Sequence, residues 1–287
     1  MFGVVVTSSS KMLLSRGIPI LKTFAQHVDT FIVMDKSLQA EETLQTHGCG
    51  THGTMYQCPW NSRSFIVLVN SCGGEEQHGC CRVFSFLYAH YMSYEWVAFV
   101  DDDVYVPACL SSILPLIPWP LFAPAKHVGA RGGWRWSLCG DNGRPDTEIA
   151  LPAGYGLANR RFVDILRSNS QNVIEQCRAT PSYNFDVALS FASWKYGVNL
   201  TAVFDWTDPR VYWMGGQRHM WRKTSWVYHK VRSLSDFQTL YQQRALMCGV
   251  GHAKIAQMFK EYHPQTGYSR TEHARNLQLR NVPFDCQ

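Results

Sequence analysis

Residues 96–106 read Trp-Val-Ala-Phe-Val-Asp-Asp-Asp-Val-Tyr-Val. Five apolar residues run directly into three carboxylates, and the chain then turns apolar again. A short unbroken apolar run predicts a buried strand. Asp101, Asp102 and Asp103 would then sit at its carboxyl end, the edge where open α/β sheets bind their ligands. Three adjacent carboxylates repel one another, so a positive charge must offset them, and a divalent cation with oxygen ligands is the usual one. A solvated acidic turn is the plainer alternative, because Asp suits turns. The run is joined to a buried strand, which favours a metal or nucleotide site.

Upstream, Phe2–Thr7 predicts a first strand that ends in the polar Thr7-Ser8-Ser9-Ser10. A helix is expected next, with Pro19 in its first turn and Ile20, Phe24 and Val28 at helical spacing. Thr30–Met34 predicts a second strand, closed by Asp35. Strand, helix and strand in this order form the βαβ unit of a parallel sheet. Thr7 and Asp35 would lie at adjacent strand ends, suited to hold a nucleoside by its polar edges. Residues 46–63 read as loop and contain His47, Cys49, His52 and Cys58. Zinc there lacks the tight Cys-x2-Cys spacing of structural sites and ranks below disulfides or unpaired thiols. Phe65–Val69 predicts a third strand, followed by a helix with Cys81, Phe84, Tyr88 and Tyr91 on one face. A bridge from Cys72 to either Cys80 or Cys81 would pin that helix to the strand end.

Downstream of the Asp run, Ser111 is expected to cap a short helix through Ile117, stopped by Pro118 and Pro120. Residues 126–150 read as a Gly-rich loop carrying Trp134 and Trp136, of a length typical of functional lids. In 151–158, small residues including Ala153 and Gly154 let backbone approach a ligand closely. Phe162, Ile165 and Leu166 mark an amphipathic helix. A second helix is expected near Asn184, with Val187, Phe191 and Trp194 on one face. It places Asp186 in the first turn, where local sequence alone reads it as a cap. Val198–Phe204 predicts a strand, 215–223 a cationic aromatic loop, and Ser225–Lys230 a short strand with His229 on one face. A lone His is more often a packing residue than a ligand. From about Ser235 the chain reads as polar helix, with Phe237, Leu240 and Tyr241 as its docking stripe.

Composition narrows the class. Hydrophobic content of 46% with 17% charged residues suits one large α/β domain over 287 residues. The net charge of +5 gathers in no long basic run. It suits a nucleoside diphosphate or sugar phosphate and does not call for nucleic acid. No apolar run of 18 residues appears, and the opening strand is too short for a signal sequence. A membrane would be met only through an anchor preceding this sequence. Ten cysteines and the sequon Asn199-Leu200-Thr201 point to an oxidising lumen, with the cytoplasm as the alternative. A phosphate-processing enzyme would need a G-x-x-x-x-G-K loop, and none is present.

Four segments, taken in order, resemble the Fringe-like branch of the β-1,3-glycosyltransferases, the inverting family 31 enzymes with a GT-A fold. Trp96–Val106 is similar to the family's W-hydrophobic-VDDD-x-YV block. Ala153-Gly154-Tyr155-Gly156 followed by Leu-Ala-Asn-Arg resembles its GGAGF segment, with Ala for the first Gly. Phe185-Asp186-Val187-Ala188-Leu189-Ser190 resembles its Asp-Asp segment, with Phe for the first Asp. Trp226-Val227-Tyr228-His229 resembles the late strand that carries a metal-binding His. The likeness spans about residues 1–232.

The resemblance implies a GT-A fold, a Rossmann-like, mostly parallel central sheet flanked by helices. One domain would fill 1–287, with a core over about 1–232 and a C-terminal helical extension over about 233–287. Asp103 and His229 would hold Mn2+ or Mg2+, and Asp101 or Asp102 would touch the ribose or donor sugar of a UDP-sugar. Asp186 would be the general base for the hydroxyl of a glycan or glycoprotein acceptor. Trp134, Trp136 and Trp221 could stack on sugar faces. The setting would be the secretory lumen, Golgi or endoplasmic reticulum. The altered Gly and Asp-Asp segments also fit a weakly active or inactive relative, lectin-like or chaperone-like, that binds glycan or nucleotide sugar.

Overall fold

Strand pleating sorts the apolar residues of this chain onto two faces. In the computed structural model, Val4 and Val6 of β1 (Phe2–Thr7) enter one core cluster and Val5 enters another. Side chains alternate across a strand, so a continuous apolar run must feed both faces. The same split separates Ile32 and Met34 from Val33 in β2 (Asp29–Asp35). It recurs in β6 (Trp96–Asp101), where Ala98 and Val100 oppose Val97 and Phe99. The structure describes residues 1–70, 72, 79–113, 127–131, 155–179, 200–205 and 231–246, and positions 185, 188, 189, 192, 196, 198, 228 and 248.

The remaining strands are β3 (Gly50–His52), β4 (Met55–Gln57), β5 (Ser64–Val69), β7 (His127–Arg131), β8 (Tyr155–Asn159) and β9 (Leu200–Asp205). They form a nine-stranded mixed sheet in the order β3-β4-β5-β2-β1-β6-β8-β7-β9. Its centre, β5-β2-β1-β6, is parallel throughout. Outside that centre β4 and β8 run antiparallel to their inner neighbours. Helices cover both faces. On one lie α1 (Ile18–Leu21), α2 (Leu38–Thr46) and α7 (Leu234–Gln242), which contribute Ile20, Leu44 and Phe237 to the first cluster. On the other lie α3 (Gly79–Ala89), α5 (Arg160–Ser168) and α6 (Ser170–Ala179), which contribute Phe84, Phe162 and Ile174. This is the Rossmann-like parallel centre flanked by helices that the sequence implies.

Several local expectations need correction. The helix over Ile20, Phe24 and Val28 is broken into short pieces: a π-helical turn Leu13–Gly17, then α1, then a 3-10 turn Phe24–Gln26. Thr23 ends α1, because its hydroxyl donates to the Pro19 carbonyl at 2.7 Å and competes with the helical ladder. The three apolar residues are still buried, so the spacing reported a core face and not one helix. Residues 46–63 contain the hairpin β3-β4, turned at Gly53 with φ 62°. Cys49 and Cys58 close it as a disulfide, which removes the thiolates a zinc site would need. Cys72 bridges Cys81, whereas Cys80 bridges Cys177 on α6, a helix the sequence reading did not anticipate. Tyr88 is exposed and Tyr91 lies beyond α3, so neither joins the buried face of Cys81 and Phe84.

Ser111 does not cap its helix. It lies within α4 (Leu110–Ile113), and its hydroxyl donates to the Ala108 carbonyl. Strand β7 occupies part of the expected 126–150 loop, and Tyr155–Gly156 open strand β8 beside β6. Phe185, Ala188, Leu189 and Ala192 are helical and buried at i, i+3, i+4, i+7 spacing, as expected of a helix near Asn184. Val187, Phe191 and Trp194 lie outside the described residues. Among the described residues, no helix is long and apolar enough to cross a membrane.

Candidate functional site

The chain leaves β1, builds β2 and β5 on one side, and then returns to place β6 on the other side of β1. Both neighbours of β1 run parallel to it, so this is a switch point, the place where open α/β sheets form their ligand crevice at the carboxyl ends of the strands. Thr7 at the end of β1 is in register with Val33 of β2 and with Asp101 of β6. The Asp run therefore ends at the switch point itself. Beside it lies the polar Ser8-Ser9-Ser10 turn, tied down where the Ser8 amide donates to the Val33 carbonyl at 2.9 Å.

Asp102 is the buried member of the run, with 7% of its surface exposed, while Asp101 and Asp103 are partly exposed. Its Oδ2 accepts a 2.7 Å hydrogen bond from the Ser8 hydroxyl, and its Oδ1 accepts one from the Arg16 guanidinium. Burial pushes the Asp102 carboxyl up, against the pull of Arg16 and Ser8, and Asp103 adds to the rise. Burial also works against the charge on Arg16, but Asp102, Asp103 and Asp101 together outweigh it and push that guanidinium up. The two partners differ for a simple reason. Burial outweighs the one cation at Asp102, and Asp103 adds to it, whereas the less buried Arg16 faces three carboxylates.

Asp35 ends β2 next to this cluster and is nearly inaccessible at 4%. It accepts from the Ser10 amide at 3.2 Å and the Ser10 hydroxyl at 2.7 Å, and from Arg82 of α3 at 3.4 Å. Thr7 is buried as well, and its hydroxyl donates to the Gly79 carbonyl at 3.4 Å. The packing is tight here, since a Cβ on Gly79 would come to 3.1 Å from Thr7 Oγ1 and require that side chain to give by a few tenths of an ångström. Thr7 and Asp35 thus brace the floor of the crevice. The Ser9 hydroxyl, 3% exposed, has no hydrogen-bond partner among the described residues. A buried polar atom at this edge suits a polar ligand.

Downstream of the run, Tyr105 exchanges both backbone hydrogen bonds with Tyr228, and the Val231 amide donates to the Asp103 carbonyl at 2.8 Å. The residues on either side of 229–230 are therefore held against the Asp run. His229 itself lies outside the described residues, as do Asp186, Ala153, Gly154, Trp134, Trp136 and Trp221. Asp101 and Asp103 are hard oxygen donors of the type Mn2+ and Mg2+ accept. Among the described residues no group of three His, Cys, Asp or Glu could hold a metal ion by itself.

Sequence reading did not find Ser8, Arg16 or Arg82. Arg82 carries a readable signal, a lone charge in the otherwise apolar Gly79–Ala89 helix, which demands a buried partner. Arg16 has no such signal, because its partner lies 86 residues away.

No protein-family model matches the chain, and no curated protein matches it. Solved structures similar to it include the galactosyltransferase LgtC in complex with donor and acceptor sugar analogs, at 12% identity and a TM-score of 0.46, covering 86% of this chain and 95% of that one. The bifunctional glycosyltransferase WbbM shows 12% identity and a TM-score of 0.46 over 86% of this chain and 51% of its own. Residues 1–349 of TarS from S. aureus show 14% identity and a TM-score of 0.40 over 94% and 73%. These likenesses are too distant to carry an activity to this chain.

Proposed function

We propose that this chain is a metal-dependent inverting glycosyltransferase of GT-A type, moving a sugar from a UDP-sugar to an acceptor hydroxyl. The observation that carries the reading is the position of Asp101–Asp103 at the switch point between β1 and β6. The resemblance of Trp96–Val106 to the Fringe-like enzymes supports a β-1,3 linkage and a glycan or glycoprotein acceptor.

On this reading Asp103, with His229, would hold Mn2+ or Mg2+, and a bound ion would supply Lewis-acid stabilisation of the leaving diphosphate. Asp101 orients the ribose or donor sugar. The Ser8–Ser10 turn and the Thr7–Gly79 contact keep the crevice floor rigid, so that donor orientation is not lost to loop motion. Asp186 takes the proton from the acceptor hydroxyl as that oxygen attacks the anomeric carbon from the face opposite the diphosphate, and one base suffices for inversion. The four disulfides among the described residues, Cys49–Cys58, Cys72–Cys81, Cys80–Cys177 and Cys109–Cys248, support an oxidising lumen such as the Golgi or endoplasmic reticulum.

Calorimetry of UDP with and without Mn2+ tests the first step, and a panel of UDP-sugars and acceptors tests transfer. Absence of any UDP signal in either condition sinks the reading. Asp186→Asn should bind donor normally and lose transfer, and retained turnover would return Asp186 to the role of helix cap. A second reading is favoured by the Arg16–Asp102 pair, which partly neutralises the run without any added ion. On it the chain binds nucleotide sugar or glycan with weak or absent turnover. Donor binding without transfer to any acceptor would select it.

A further inference from the structure

Among the described residues, Arg16 and Asp102 form the pair beside the Asp run that joins a buried carboxylate to a partly exposed cation. The Asp102 side chain is 10% exposed and that of Arg16 is 22% exposed. Arg16 stands on the π-helical turn Leu13–Gly17 that follows β1, and such turns occur frequently at functional sites. A guanidinium carries five N–H donors in a planar fork. Among the described residues its hydrogen bond to Asp102 uses one of them. The others match the paired oxygens of a phosphate. Arg16 feels the charge of Asp103 as well as that of Asp102, so its fixed positive charge would oppose a divalent ion held by Asp103.

We propose that Arg16 is a diphosphate-binding residue that is also the resident counter-cation of the Asp run, holding Asp102 out of the ligand set of a divalent ion. The inference rests on the nucleotide-sugar reading of the site. It assigns Asp102 to positioning, with Ser8 and Arg16 as its partners, and leaves donor contact to Asp101. A diphosphate held by the guanidinium would lower the repulsion that Arg16 exerts on a divalent ion at Asp103.

The test is calorimetric titration of Mn2+ alone, and of UDP without metal, into the wild-type chain, Arg16→Gln and Asp102→Asn. Arg16→Gln should bind Mn2+ about tenfold more tightly and metal-free UDP about tenfold more weakly. Asp102→Asn removes a negative charge and frees the guanidinium, so it should shift both affinities in the opposite directions by a similar factor. A residue that merely supported the fold would weaken both ligands together in either variant. Arg16→Gln with unchanged or weaker Mn2+ binding, or unchanged or tighter UDP binding, overturns the proposal. If Arg16→Gln fails to fold, Asp102→Asn decides alone, and weakened binding of both ligands overturns it. A wild-type chain that binds neither Mn2+ nor UDP overturns the reading of the site and this inference with it. Wild-type binding that the variants leave unchanged overturns this inference alone.

Discussion

Two strand ends on either side of β1 each carry a carboxylate paired with an arginine, and the pairs differ in one respect. At the end of β2, Asp35 and Arg82 are both sealed, with side chains 5% and 3% exposed. At the end of β6, Asp102 and Arg16 are 10% and 22% exposed. Asp35 spends its remaining hydrogen-bonding capacity on Ser10, inside the fold. Asp102 is flanked by Asp101 and Asp103, which reach the surface. A fully buried pair costs so much desolvation that it serves mainly to fix geometry. A pair at a crevice edge keeps its charge available to a ligand. The same chemistry thus braces the fold at one strand end and is open to a ligand at the other.

The contrast yields predictions of graded size. Asp103→Ala should lower sugar transfer by about a thousandfold or more while leaving the thermal midpoint near wild type, measured by UDP release and calorimetric melting. Asp35→Ala should act on the fold first. Removing the buried carboxylate between Arg82 and Ser10 should cost about 3 kcal/mol of stability in denaturant unfolding, and a loss below about 1 kcal/mol would erase the distinction between the two strand ends.

The third prediction concerns pH. Because burial raises the folded-state carboxyl of Asp102, its contribution favours the fold fully below the unfolded carboxylate value of about 3.9, and this is lost as pH rises through the higher folded value. Asp102→Asn should therefore flatten the fall in stability over that acidic window, read from melts at a series of pH values. Wild-type and variant curves that run parallel would count against it. Smallest of all, Arg16→Lys should change stability by less than about 1 kcal/mol, as partly exposed pairs do. Its loss of fork geometry should nonetheless weaken metal-free UDP binding several-fold.

Much of the central sheet was legible. Phe2–Thr7, Asp29–Asp35, Ser64–Val69 and Trp96–Asp101 are short apolar runs whose burial on two faces leaves little alternative to a covered parallel sheet. Strands β7 and β8 were not, because a Gly-rich, mixed-polarity stretch shows no period from which pairing can be read. The broken helix after β1 was misread for a related reason. Apolar spacing reports which residues face the core, and the competing hydroxyl of Thr23 acts on backbone that periodicity does not sense.

What the sequence determined by itself is the apolar strand that ends in Asp101-Asp102-Asp103, and with it the edge of the sheet where chemistry belongs. Local composition is enough for that, since burial and charge are carried by the residues themselves. Only the tertiary structure decided that the three carboxylates are not equivalent. The serine turn after β1 and the guanidinium of Arg16 arrive from 94 and 86 residues away to engage Asp102, and Tyr228 arrives from the far side to pair with Tyr105. Such partners are chosen by strand order, and strand order is a property of the packed sheet that no local window contains.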